Sequence, residues 1–466
     1  MSRIYQAPTN ATQDFQHTDN EIQQLHWQRA VALQRQNETE SAFASVPPEI
    51  LASIAEFICL APTAFQSLPV VTSNRIKPQL PPLALASISS YWREVMFATP
   101  SLWTELVIPE AKAKTIEANP KAATLLDMYL THANPLPIKL DTPWDTHITE
   151  ENSGRLRALV LRKPLASHDS LNLFTSAFDR LTTLTLDLRG TESNAIDLST
   201  LPALQWVELS FVRQLPALPW RQIKGLTLTH SFESVAFDML VRCEQLVKYS
   251  HTFPHFEGGE DWIQEEFVTL HHLESFECAF QDDVSQWHWS RSLPLVRLPA
   301  VKHITFWGLP HNDNARGHLS EFFSHLSPTL TSLHLHDWSN PSDIRQILSK
   351  ATGLTRLRVN ILDPAKMVDV LRVLSSAASP EASNAAEMLS PLLEDLEVVF
   401  HRLSHGFSLQ KNDFTEQITS IAQRRCALRN LALYFCRGTE SASVYVNEQA
   451  FARKGLTFQV FKGVMW

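Results

Sequence analysis

Glycine is scarce in this chain, with twelve residues in 466. Phosphate loops and dinucleotide-binding folds need glycine where the backbone approaches a phosphate. The single Gly-Gly pair, Gly258-Gly259, lies between Glu257 and Glu260 with no lysine after it. Two carboxylates there would repel a phosphate. Cysteine is scarcer still: Cys59, Cys243, Cys278, Cys426 and Cys436 form an odd, scattered set with no Cys-x-x-Cys. Such a set argues against a disulfide framework and a cysteine zinc site, and it points to a reducing compartment, the cytoplasm or nucleus. Basic residues number 40 against 49 acidic, a net charge of −9, which argues against a nucleic-acid partner. No apolar run reaches the roughly eighteen residues of a membrane span. Met1-Ser2-Arg3-Ile4 leads into polar sequence rather than an apolar signal core, so no membrane partner is expected. There is no Gly-x-Ser-x-Gly elbow and no His-Glu-x-x-His. Asp282-Asp283 reads as a solvated loop pair. The expectation is a chain that is not an enzyme, with no catalytic residue, no metal and no cofactor.

What is present is globular, at 44% apolar residues. Residues 1–19 are polar and aperiodic, the composition of a disordered tail. Residues 20–45 hold a helical stub with Ile22, Leu25, Val31 and Leu33, either a short coiled coil or a solvated helix. From Val46 a helix is predicted, with Pro48 at its first position and Glu49 in its first turn, where the dipole favours a negative charge. Val46, Ile50, Ile54 and Ile58 recur every four residues, so one face is apolar. A second helix is predicted from Pro82 to before Thr99-Pro100, with Leu85, Ile88, Trp92, Val95 and Met96 on one face. Thr99 and Pro100 then open a short third helix carrying Leu102 and Trp103.

These pieces, Pro47-x-Glu49-Ile50-Leu51-x-x-Ile54, then Ile88-Ser89-x-x-Trp92-Arg93, then Thr99-Pro100-x-Leu102-Trp103, resemble an F-box of the kind common in mushroom-forming fungi. Val46 stands where the family has leucine, and a loop from about Ala61 to Pro81 lengthens the motif. The alternative is an ordinary helical hairpin with buried tryptophans. The resemblance implies that residues 46–108 dock on a Skp-type adaptor, and through it a cullin, by Pro47, Ile50, Leu51, Ile54, Leu85, Ile88, Trp92, Leu102 and Trp103.

Residues 109–135 read as a connector with a helix near Ala122–His132. Leu136-Pro137-Ile138-Lys139-Leu140 alternates like a strand. From there a unit apolar-x-x-apolar-x-apolar recurs, at Leu156, Leu181, Leu204, Ile223, Leu246, Leu273, Val301, Leu330, Leu354, Leu393 and Leu428. Starts lie 19 to 39 residues apart, and the copy at Leu246 is degraded. The spacing resembles irregular leucine-rich repeats, of roughly 20 to 29 residues. One unit cannot bury its own apolar side, but stacked units can. The expected fold class is therefore α/β: a three-helix F-box, then a curved leucine-rich-repeat-like solenoid over residues 136–461 with a parallel sheet, closed by the alternating tail Leu456–Phe461. Another kind of α/β domain with leucine-rich strands is the alternative.

On a strand, alternate residues face opposite sides. With the leucines inward, His303, Trp307, His334, His336, Arg356 and Arg358 fall outward in three adjacent copies. Exposed Trp and Arg are the types enriched at interface hot spots. The expectation is a surface for a target protein carrying an acidic or phosphorylated segment, since arginine holds both bidentately, and with a pH response from imidazoles titrating near 6.5. Together these features imply a substrate-receptor subunit of a Skp-cullin-F-box ubiquitin ligase. The rival readings are an F-box scaffold acting outside ubiquitination and a repeat-fold enzyme.

Overall fold

The structure is a computed structural model. It describes residues 21–33, 35–36, 46–60, 81–107, 121–142, 153–161, 178–189, 197–252, 267–279, 293–308, 313–326, 329–336, 338, 340–361, 366–375, 390, 392–400, 411–425, 427–436 and 456–464. The expected N-terminal tail, the loop after residue 60, Gly258-Gly259, Asp282-Asp283 and most of the connector before residue 121 lie outside these. The chain divides into two compact units, Met1–Val160 and Leu161–Trp466.

The first unit begins its core with helix α1 (Pro48–Leu60). Leu51 and Ala55 are buried on it, one turn apart. The single helix predicted from Pro82 is two, α2 (Pro81–Ala86) and α3 (Ser90–Phe97). The break has a local cause. Ser89 is extended, and its side chain accepts a hydrogen bond from the Trp92 amide at 3.1 Å, starting a new helix. Trp92 is thereby buried while Ile88, before the break, is exposed. A 3-10 turn, Pro100–Trp103, follows. It inserts Trp103, whose Nε1–H donates to Met96 O at 2.8 Å. Helix α4 (Lys121–His132) brings Tyr129 edge-on to Trp103, with ring centroids 4.9 Å apart. Strands β1 (Glu105–Val107) and β2 (Ile138–Thr142) pair in parallel, and β3 (Leu156–Leu161) follows β2 in sheet order. The predicted strand thus starts two residues late, and Leu136, expected inward, is exposed.

The second unit is a run of parallel strands: β4 (Thr183–Asp187), β5 (Trp206–Ser210), β6 (Gly225–Thr229), β7 (Lys248–Thr252), β8 (Val268–Thr269), β9 (Ser275–Ala279), β10 (Val296–Arg297), β11 (His303–Trp307), β12 (Ser332–His336), β13 (Arg356–Ile361), β14 (Asp395–Phe400), β15 (Asn430–Cys436) and β16 (Thr457–Val464). All but β8 and β10 lie side by side in chain order, and those two form a separate parallel pair. Parallel neighbours need a return path. Helices α5 (Glu233–Arg242), α6 (Asp313–Ser324), α7 (Pro341–Lys350), α8 (Met367–Ser375) and α9 (Lys411–Arg424) supply it between β6 and β7 and from β11 to β15.

The strand leucines define the register. Leu184, Leu226, Leu333 and Leu396 are all buried, on β4, β6, β12 and β14. The degraded copy keeps the same register. Tyr249 pairs with Leu226 and Phe276, and His251 with Leu228 and Cys278. The pattern therefore reads Leu246-x-x-Tyr249-x-His251, with two polar-tipped rings in leucine places, both wholly buried. On the helix side, Phe306 of β11 meets Phe322 and Phe323 of α6 with ring centroids 6.1 and 5.7 Å apart. Three strands end in the same left-handed turn, at Phe211, His230 and Gly308. Each of these amides donates to the last carbonyl of the next strand, at 2.8, 3.0 and 3.0 Å.

A buried guanidinium ties the helix layer. Arg425 donates from Nε to Leu374 O at 2.9 Å and from Nη1 to Ser390 O at 3.3 Å. Ser390 Oγ in turn donates to Leu348 O and Ala351 O. Burial pulls Arg425 down to about 10. Arg425→Met should lower the unfolding free energy by about 2–5 kcal/mol, because buried carbonyls lose their donor at about 1–3 kcal/mol each. Leu333→Ala should cost a similar amount, about 2–5 kcal/mol. Denaturant midpoints at constant slope check both.

Candidate functional site

The parallel register decides which outward side chains touch. His303, Ser332, Arg356, Asp395 and Asn430 form one row across five strands. Thr305, His334, Arg358, Glu397 and Ala432 form the next, and Trp307, His336, Asn360, Val399 and Tyr434 the third. Four of the six expected target-binding residues pair within the set across adjacent strands, Trp307 with His336 and His334 with Arg358. His303 is separated from Arg356 by Ser332.

The rings gather tightly. Trp307 stacks on His336 with centroids 3.5 Å apart and planes 13° from parallel, and His334 lies 4.0 Å from His336. Trp307 Nε1–H donates to Glu277 Oε1 on β9 at 2.8 Å. Asn360 Nδ2 donates to His336 Nδ1 at 2.6 Å. Asn360 and Val399 are outward by the pleat yet buried, so the third row is closed at its middle.

Beside the rings the sheet holds a cavity of about 510 Å³, lined by His334, Arg356, Arg358, Asp395, Glu397 and Tyr434 with hydroxyls and amides around them. Its arginines are not uncompensated cations. Arg356 Nε meets Asp395 Oδ2 at 3.0 Å, and Arg358 Nη1 lies 3.6 Å from Glu397 Oε2. Asp395 also accepts from Asn430 Nδ2 at 2.5 Å. Two positive and two negative side chains thus share one cavity. Asp395 and Glu397 were legible as outward from the alternation, but strand pairing alone shows that they face the arginines.

His334 is held neutral. Burial, and then the positive charge of Arg358, pull it from 6.5 to about 4, against the Asn360 side chain, which favours the imidazolium. The pH response expected near 6.5 therefore falls lower for this ring. Burial, and then the negative charge of Glu397, raise the Tyr434 phenol against the pull of Arg358. Elsewhere burial pushes the Cys243 thiol up to about 12, so it supplies no thiolate. Among the described residues no group of three His, Cys, Asp or Glu side chains is placed to hold a metal ion.

The expected adaptor-binding residues separate into two sets. Leu51, Trp92, Leu102 and Trp103 lie inside the first unit's own core and offer no surface, because a unit this small buries its largest apolar groups first. Leu85 is half-buried. Pro47, Ile50, Ile54 and Ile88 are exposed. On α1, Phe57 and Ile58 extend the row Ile50-Ile54 by another turn, at 69% and 53% exposure.

No protein-family model matches the chain, and no curated protein matches it. Among solved structures, the leucine-rich repeat-containing protein LegL7 from Legionella pneumophila is similar over 64% of this chain and 88% of its own, at 14% identity and a TM-score of 0.30. So loose a superposition bears on neither site nor function. The leucine-rich-repeat character of the second unit rests on its in-register parallel strands and leucine rows.

The unfolded His334 imidazole takes its proton near 6.5 and the folded one only near 4. Between these values the unfolded chain binds more proton, so stability should fall as pH drops from about 6.5 to about 4 and level off below. The difference between the parent and His334→Gln isolates this from the carboxylates titrating nearby. Urea melts across that window should show it at roughly 1–3 kcal/mol, as one pKa unit corresponds to about 1.4 kcal/mol.

Proposed function

We propose that this chain is a substrate-receptor subunit of a Skp-cullin-F-box ubiquitin ligase. Residues 46–108 hold a Skp-type adaptor, and the open face of the parallel sheet holds a target protein around His303, Trp307, His334, His336, Arg356 and Arg358. The observation that carries the first half is the row Ile50, Ile54, Phe57 and Ile58, exposed along a helix whose adjoining side is packed by Leu51 and Ala55. A contiguous exposed apolar patch marks an interaction surface. It coincides with the motif whose resemblance implies an adaptor. The second half is supported by a sheet face rich in Trp, Arg and His with a cavity beside them. Such a receptor breaks no bond itself. It raises the concentration of the target near the transferring enzyme.

The test uses residues that have no packing role. Ile50→Asp with Ile54→Asp should abolish co-purification with a purified Skp-type adaptor while the melting temperature stays within a degree or two, since exposed substitutions change stability little. Adaptor retained by this variant would sink the docking surface. Adaptor binding without ubiquitination of any captured protein would move the reading to a scaffold.

A further inference from the structure

Two tryptophans stand half-exposed on the open face, and they are built differently. Trp307, at 39% exposure, has one ring face covered by His336 and its N–H held by Glu277. Trp206, at 41%, lies over a glycine. Its register partner on β6 is Gly225. A Cβ added at Gly225 would sit 2.0 Å from Trp206 Cε3 and 2.4 Å from Cζ3. Real atoms never approach so closely, so the Cε3–Cζ3 edge of the indole closes on bare backbone where a side chain would stand. Glycine in a strand interior weakens the strand and often marks close approach of another group. Here that group is the indole, which keeps two-fifths of its surface open to solvent.

The sign of a fitting ligand follows from charge. An indole face is electron-rich and attracts cations best among the aromatic rings. Outward on the same strand, two residues on, is the exposed carboxylate of Glu208, which accepts from Thr185 Oγ1 at 3.3 Å. Lys248, opposite Gly225 on β7, and the exposed Lys224, which precedes Gly225, are basic residues nearby. Across the outward strand positions of the second unit Asp187, Glu208, Glu277, Asp395 and Glu397 outnumber Lys248, Arg356 and Arg358; Arg356 and Arg358 pair with Asp395 and Glu397, and Arg189 pairs with Asp187, which leaves Glu208 and Glu277 against Lys248. With the chain at −9, a basic segment is drawn to this face and an acidic one is not.

We infer that Trp206, seated against Gly225, is a platform for an arginine or lysine side chain of the target, with Glu208 supplying the counter-charge. This rests on the reading that the open face takes the target, and it replaces an acidic segment with a basic one. The position is separate from the cavity on β11–β16.

Isotope-labelled full-length chain, titrated by NMR, tests it. The probes are N-acetyl-arginine methylamide, tetramethylammonium and N-acetyl-glutamate methylamide. The Trp206 indole N–H signal, identified by its loss in Trp206→Phe, and the Thr227 amide should move saturably with both cations and stay still with glutamate. Tetramethylammonium donates no hydrogen bond, so it reads the ring face alone. In Gly225→Ala, which lifts the indole, and in Trp206→Ala, which adds no atoms and guards against misfolding of the first, the Thr227 shift with tetramethylammonium should vanish. Arginine affinity should fall about two- to fivefold, the size of an exposed cation–π contact. Equal movement with glutamate, or cation shifts unchanged in both variants, overturns the platform. Adaptor co-purification reports separately: cation binding without adaptor binding leaves Trp206 standing and sinks the receptor, and the converse sinks the platform alone.

Discussion

Strand register is the constraint on which the second unit depends. Each strand is too short to bury its own leucines, so the inner pair of one must lie against the inner pair of the next. A slip of one residue would turn every leucine to the open face. That cost holds the strands of the main sheet level, all but β8 and β10, even where spacing between copies changes. It also explains why Tyr249 and His251 can replace leucines. Position in the row matters more than residue type, provided that the side chain is large and its polar tip is accommodated.

The open face inherits its chemistry from the same constraint. Because strands are level, Arg358 must face Glu397 and Arg356 must face Asp395. Charges that look like a basic patch along one strand become cross-strand pairs in the sheet. Coulomb attraction at such partly exposed pairs is modest, but it removes the excess positive charge that an acidic ligand would need. His334, pressed among these groups, is kept neutral by burial and by Arg358.

The first unit obeys a different limit. Its core is small and dominated by Trp92, Trp103 and Tyr129. Filling it consumes the large apolar groups of the motif and leaves the shorter isoleucines of α1 outside. The unit therefore has a tryptophan interior and an isoleucine exterior. A partner that covers Ile50 and Ile54 would bury apolar area without disturbing the rings beneath.

Periodicity in the sequence determined the leucine rows, the parallel strand-per-repeat plan and which side chains alternate outward. These are local properties: a period of two or of 3.6 is written in neighbouring residues. It also determined that one face of α1 is apolar. Only the tertiary structure decided the rest, because the rest depends on residues far apart in the chain. The break at Ser89 depended on a side chain capping a new turn, and Trp92 and Ile88 parted company there. The rings of Tyr129 and His132 against Trp103 depended on α4 arriving from beyond the connector. The neutralised arginines depended on a strand some forty residues later, and the seat of the Trp206 indole on a glycine nineteen residues away. Alternation can say that Trp206 faces outward; only the neighbouring strand can say that nothing but backbone lies beneath it.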